Sequence, residues 1–152
     1  MTTRASELAA RVVPPTLKVT SVERDAILEI AYLAVAADKK LSAEEVDALR
    51  RIAARLEGKE SLTEKELGDL LQRFANWPNR EEVDQRLRVL GGTLSPAART
   101  LAYRVAYALA MCDMESSDEE FEFDLQLIDA LELTADQASA LAGEVQEILQ
   151  GD

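Results

Sequence analysis

Apolar residues recur along this chain at three- and four-residue spacing, and polar caps separate one run from the next. Thr20 and Glu23 have the spacing of a capping box, and Ala26, Ile27, Ile30, Leu33, Ala34 and Ala37 follow on one helical face. Ser42 and Glu45 open a second run through Val46, Leu49, Ile52, Ala53 and Leu56, which Gly58 ends. Thr63 and Glu66 open a third with Leu67, Leu70, Leu71 and Phe74, broken at Trp77 and Pro78. Asn79 caps a fourth with Val83, Leu87 and Leu90, and Gly91 with Gly92 is expected to terminate it. Ser95 and Pro96 begin a fifth, proline being favoured at the first helical position, with Leu101, Ala102, Val105, Leu109 and Cys112 behind them. Ser117 and Glu120 open a sixth with Phe121, Leu125, Ile128 and Leu131. Thr134 and Gln137 open a seventh with Ala138, Leu141, Val145 and Ile148. No strand-like alternation intervenes. The pattern predicts an all-α chain of seven helices joined by short connections.

Two of these stretches are alike. Residues 31–56 read AYLAVAADKKLSAEEVDALRRIAARL and residues 106–131 read AYALAMCDMESSDEEFEFDLQLIDAL, aligned without a gap at an offset of 75. Asp38 matches Asp113, Ser42 matches Ser117, and Glu44 with Glu45 matches Glu119 with Glu120. Beyond the block, Leu62 and Thr63 correspond to Leu133 and Thr134, with four extra residues in the first copy. The expected architecture is a seven-helix bundle of two pseudo-symmetric three-helix repeats, the fourth helix linking them. In such a bundle both aspartate-bearing loops would meet at one end. Residues 1–20 are expected to form a flexible tail, ended as a helix by Pro14 and Pro15, and residues 21–150 a single domain.

Charge narrows the function classes. The net charge is −12, which disfavours nucleic acid, whose recognition needs clustered Lys and Arg. Residues 1–75 are nearly balanced, with 13 acidic and 12 basic side chains, whereas residues 76–152 carry 16 acidic and 5 basic ones. The second half therefore suits a cation or a protein partner with a basic surface. The chain starts with no cationic-then-apolar leader, its apolar runs are too short for direct membrane insertion, and a cytoplasmic location is expected. It has no histidine, no glycine-rich phosphate loop and a single cysteine, Cys112, on an apolar stripe. Catalysis is not expected.

The candidate chemistry lies in the repeated loop. Of residues 113–124, seven are acidic, and Asp113 at a helix exit with Glu120 in the next first turn could converge on one hard cation such as Ca²⁺ or Mg²⁺. Asp118 and Glu119 could complete the set. Asp38 and Glu45 are the equivalents in the first copy, where Lys39 and Lys40 could instead bridge to the acidic second loop. A metal-free account also fits: Ser117 with Glu120, and Ser42 with Glu45, are capping boxes, and acids are favoured in a first helical turn. The spacing is not that of an EF-hand. A metal-free adaptor would use this acidic face or Trp77, a large aromatic at the break between the units.

An alanine-rich helix, an aspartate, a short loop and Ser-x-Glu-Glu resemble the TerB-like family, named for tellurite-resistance operons and including N-terminal domains of some membrane-anchored co-chaperones. The resemblance covers residues 21–149 and is most specific over residues 99–141. Leu101, Ala102, Arg104 and Val105 precede the stretch from Ala106 to Ala110 and then Asp113. The family's Ala-x-Asp-Gly with a glutamate seven residues after the aspartate maps onto Asp38 with Glu45 and Asp113 with Glu120. Lys39 and Met114 stand where the family has glycine, so these loops must turn differently. The resemblance implies a non-enzymatic helical module with an acidic, cation-binding face, linked to bacterial stress or membrane-associated complexes.

Overall fold

The computed structural model describes residues 11–13, 19–36, 43–57, 62–73, 80–111 and 118–150. They form seven helices: α1 (Ser21–Ala36), α2 (Ala43–Leu56), α3 (Glu64–Arg73), α4 (Arg80–Gly92), α5 (Pro96–Met111), α6 (Asp118–Ala130) and α7 (Ala135–Gln150). Among the described residues there is no strand, and no helix is long and apolar enough to cross a membrane.

Three of the expected capping boxes close with their reciprocal bonds. Glu23 N–H donates to Thr20 Oγ1 and Thr20 N–H to Glu23 Oε1, both at 3.1 Å. Thr63 with Glu66 repeats the arrangement at 3.0 and 3.1 Å, and Thr134 with Gln137 at 2.8 and 3.0 Å. Each exchange satisfies two amides that a helix start would otherwise leave unpaired. Asn79, Ser42 and Ser117 lie outside the described residues.

Helices α1 and α5 are the centre. Among the described helices they share the most extensive contact; α2 packs on both, α7 and α6 pack on α5, and α4 spans α1 and α6. Their composition explains the position. Ala26, Ile27, Leu28, Ile30, Ala31, Tyr32, Leu33 and Ala34 of α1 are all buried, as are Ala98, Leu101, Ala102, Tyr103, Val105, Ala106, Ala108 and Leu109 of α5. A helix apolar around most of its girth is stable only when covered on several sides, and alanines allow the close approach. The outer helices bury one stripe each, such as Ala48, Leu49, Ile52 and Ala53 on α2 and Ala138, Leu141 and Val145 on α7.

One local detail departs from what the sequence suggested. Gly91 and Gly92 lie inside α4 rather than beyond its end. Gly91 is there for packing: a Cβ on it would stand 2.5 Å from the Ala130 carbonyl oxygen of α6. The absent side chain lets the two backbones touch. Helix α6 ends in a Schellman motif without glycine: Leu133 N–H bonds Ile128 O at 3.0 Å and Glu132 N–H bonds Asp129 O at 3.1 Å, with Glu132 at φ 57°. In the segment read as a tail, Val12 and Val13 are buried, and Arg55 donates through Nε and Nη2 to the Val13 carbonyl at 3.0 and 2.5 Å.

Candidate functional site

The six acidic residues singled out in the sequence fall at the edges of what is described. Asp38 and Asp113 lie outside the described residues. Glu45 lies in the first turn of α2, and Asp118, Glu119 and Glu120 form the first turn of α6, but their side chains lie outside the described ones. Lys39, Lys40, Trp77 and Cys112 also lie outside. The described part of α1 reaches Ala36 and that of α5 reaches Met111, each two residues short of its aspartate in sequence.

The far end of the acidic stretch is described, and it is not a loop. Glu122, Phe123 and Asp124 are on α6. Phe123 is buried, and Asp124 turns inward toward α5, where Tyr103 Oη donates to its Oδ1 at 2.9 Å. Tyr103 is only 2% exposed and stacks on Tyr107 with ring centroids 6.0 Å apart. The Tyr107 hydroxyl accepts from Gln146 Nε2 of α7 at 2.8 Å, and one turn away Arg104 donates to Glu144 at 2.9 and 2.6 Å. Polar side chains thus stitch α5 to α6 and to α7.

Burial dominates the electrostatics of this pair. It pushes the Asp124 carboxyl above its ordinary value, while the Tyr103 hydrogen bond pulls it back. Burial, then the neighbouring carboxylate charge, pushes the Tyr103 hydroxyl up, so it stays protonated and remains the donor at neutral pH. Asp124 is therefore committed to an internal bond. It differs from the acids at the start of α6, which precede it by one to two turns.

The offset of 75 makes this pair conspicuous. Tyr103 corresponds to Leu28 and Asp124 to Leu49, and both leucines are buried. Where the first half has two leucines, the second has a hydrogen-bonded tyrosine and aspartate. The signal was in the sequence, as a polar residue replacing a core leucine in the aligned copy, but a run of seven acids masked it.

A second feature joins the two central helices. Glu23, already bonded to Thr20 through Oε1, accepts the Ser95 N–H through Oε2 at 2.8 Å. The bond from the Ser95 amide, then that from Thr20, holds the Glu23 carboxyl below its ordinary value. Farther along, Arg86 of α4 grips Glu29 of α1 with both Nε and Nη2, the latter at 2.7 Å. Arg88 bridges Asp84 of its own helix and Asp129 of α6.

Among the described residues, no group of three or more Cys, Asp or Glu converges as a metal cage would require. Compared with protein-family models, curated proteins and solved structures, the chain matches none.

Proposed function

We propose that this chain is a non-enzymatic, TerB-like helical module of two three-helix units joined by α4, whose acidic α5-to-α6 turn takes a divalent cation. The duplication is supported by helix boundaries. Helix α1 begins at Ser21 and, 75 residues on, α5 begins at Pro96. Buried positions follow the same register: Ala26, Ile30, Ala31 and Ala34 pair with Leu101, Val105, Ala106 and Leu109.

The observation that supports a shared site is the bond from Ser95 to Glu23. It brings the starts of α1 and α5 together, and these helices pack extensively on each other. Helices with adjoining starts that stay in contact run the same way. Their far ends, leading to Asp38 and Asp113, then favour a common pole, where carboxylates of residues 113–120 would supply the oxygen ligands that Ca²⁺ or Mg²⁺ requires. In the TerB-like reading the module serves a bacterial stress or membrane-associated complex.

Calorimetric titration with Ca²⁺, Mg²⁺, Mn²⁺ and Zn²⁺ tests this. The expectation is saturable heat for the natural chain that Asp113→Asn and Glu120→Gln abolish, with a smaller loss for Asp38→Asn. A flat trace for the natural chain rejects the cation. The excess of 16 acidic over 5 basic side chains in the second half then favours a metal-free adaptor that meets a basic protein surface. A partner captured from native extract and released at moderate salt would support that second reading.

A further inference from the structure

Among the described residues, the two most exposed large apolar side chains lie on α1 and α4. Val22 and Val89 are exposed by 62% and 58%, and both line a groove of about 350 Å³. Its floor is Ala26 and Leu90, both buried. The ion pair between Glu29 and Arg86 closes one end, and Val22 and Thr93 mark the other. Helices α1 and α4 therefore run antiparallel here. Seven residues separate Val22 from Glu29, about 10 Å at the helical rise. That length suits two turns of a docked helix.

Charge selects among the possible occupants. A second copy of this chain brings another −12, and an anionic membrane surface repels for the same reason. Within the groove, Arg86 is held in a two-pronged pair with Glu29, whereas Asp25 is 52% exposed and, among the described residues, pairs with Arg24 only at 3.9 Å. The groove thus offers an aliphatic slot with an open carboxylate beside it. Helix-in-groove recognition reads such a surface with apolar anchors one or two turns apart.

We propose that the groove between α1 and α4 docks a short basic amphipathic helix of a partner protein, seating aliphatic side chains between Val22 and Val89 and a lysine or arginine beside Asp25. The site is separate from the acidic start of α6 and stands or falls independently of cation binding. The test is an amide-shift titration of the isotope-labelled full chain with a 15-residue helical Leu/Lys peptide, and with its Leu/Glu counterpart. The Leu/Lys peptide should move the Val22, Ala26, Val89 and Thr93 signals saturably, and the Leu/Glu peptide should not. Val89→Ser and Asp25→Asn should each weaken binding roughly five- to tenfold. Leu125→Ser, at an exposed apolar site elsewhere, should leave it unchanged. Shifts centred on residues 118–124, equal affinity in Val89→Ser, equal binding of the Leu/Glu peptide, or no saturable shift at millimolar peptide would each overturn the proposal. So would the same groove shifts on deleting residues 1–10, which would give the slot to the chain's own N-terminal segment.

Discussion

The carboxylate of Glu23 accepts the backbone N–H of Ser95 at 2.8 Å while it completes the cap of its own helix. One side chain thereby satisfies amides at the starts of both central helices. By the offset of 75, Thr20 and Ser95 are equivalent caps, but Ala98 stands where the second copy would need its own glutamate. Glu23 serves both.

Replacing Glu23 with glutamine should lower the thermal midpoint by more than the same change at Glu147, an exposed glutamate on α7. The pH dependence has a definite sign. Since the folded carboxyl lies below its ordinary 4.5, its contribution is complete above 4.5 and is lost as pH falls through the folded value. Acid unfolding monitored by circular dichroism should therefore be less steep across that window in Glu23→Gln than in the natural chain. Parallel acid curves would show that the carboxylate carries no such linkage.

Tyr103 and Asp124 should behave as one unit. Tyr103→Phe removes only the donor and leaves a half-buried carboxylate without it, at a cost of about 1–3 kcal/mol. Asp124→Leu restores the residue type of the equivalent Leu49. The double variant Tyr103→Phe with Asp124→Leu should lose less than the two single losses added. Asp124 also opposes Glu23 in pH response. Its folded value is raised above 3.8, so it favours the folded state below that value and loses this contribution as pH rises through the folded value. Additive losses in chemical denaturation would refute the coupling.

Glycines 91 and 68 should respond in opposite directions to alanine. At Gly91 a Cβ meets backbone, the Ala130 carbonyl oxygen, so α4 and α6 must separate, costing about 1–3 kcal/mol. At Gly68, inside α3, a Cβ meets nothing within 4 Å. There Gly68→Ala should stabilise by about 0.5–1 kcal/mol through helix propensity. Urea midpoints of the two variants decide it, and similar shifts of the same sign would refute the packing role of Gly91.

Glu132 occupies a left-handed conformation that glycine adopts without strain. Glu132→Gly should raise stability by up to about 1 kcal/mol, because the pair it forfeits, Arg99 with Glu132, sits at an exposed end and is worth little. A lower midpoint for Glu132→Gly would mean that the ion pair outweighs the strain.

What the sequence revealed and what it concealed divide along physical range. Caps at Thr20, Thr63 and Thr134 were legible because their bonds close within three residues. Most buried stripes were legible because helical spacing is local, but on α6 Leu125, read as a core position, is 52% exposed, and Phe123 and Leu127 are buried instead. Gly91 looked like a stop signal because the carbonyl it makes room for belongs to Ala130, distant in sequence. The Glu23 bond to Ser95, the slot between Val22 and Val89, and the turn at Glu132 depend on where helices meet or on a conformation glycine usually fills. The proposed acidic site is read from composition and spacing around Asp113 and Glu120. Its geometry rests on side chains beyond the described ones.

The clasp of Arg55 on the Val13 carbonyl bears on where the smallest self-sufficient fragment begins. Cutting the chain at Ser21, where the first long helix starts, would strip two buried valines from the hydrophobic interior and leave a guanidinium fork without its acceptor. A shortened version meant for crystallisation or spectroscopy therefore has to begin upstream of Val12, even though the intervening prolines make that stretch look dispensable.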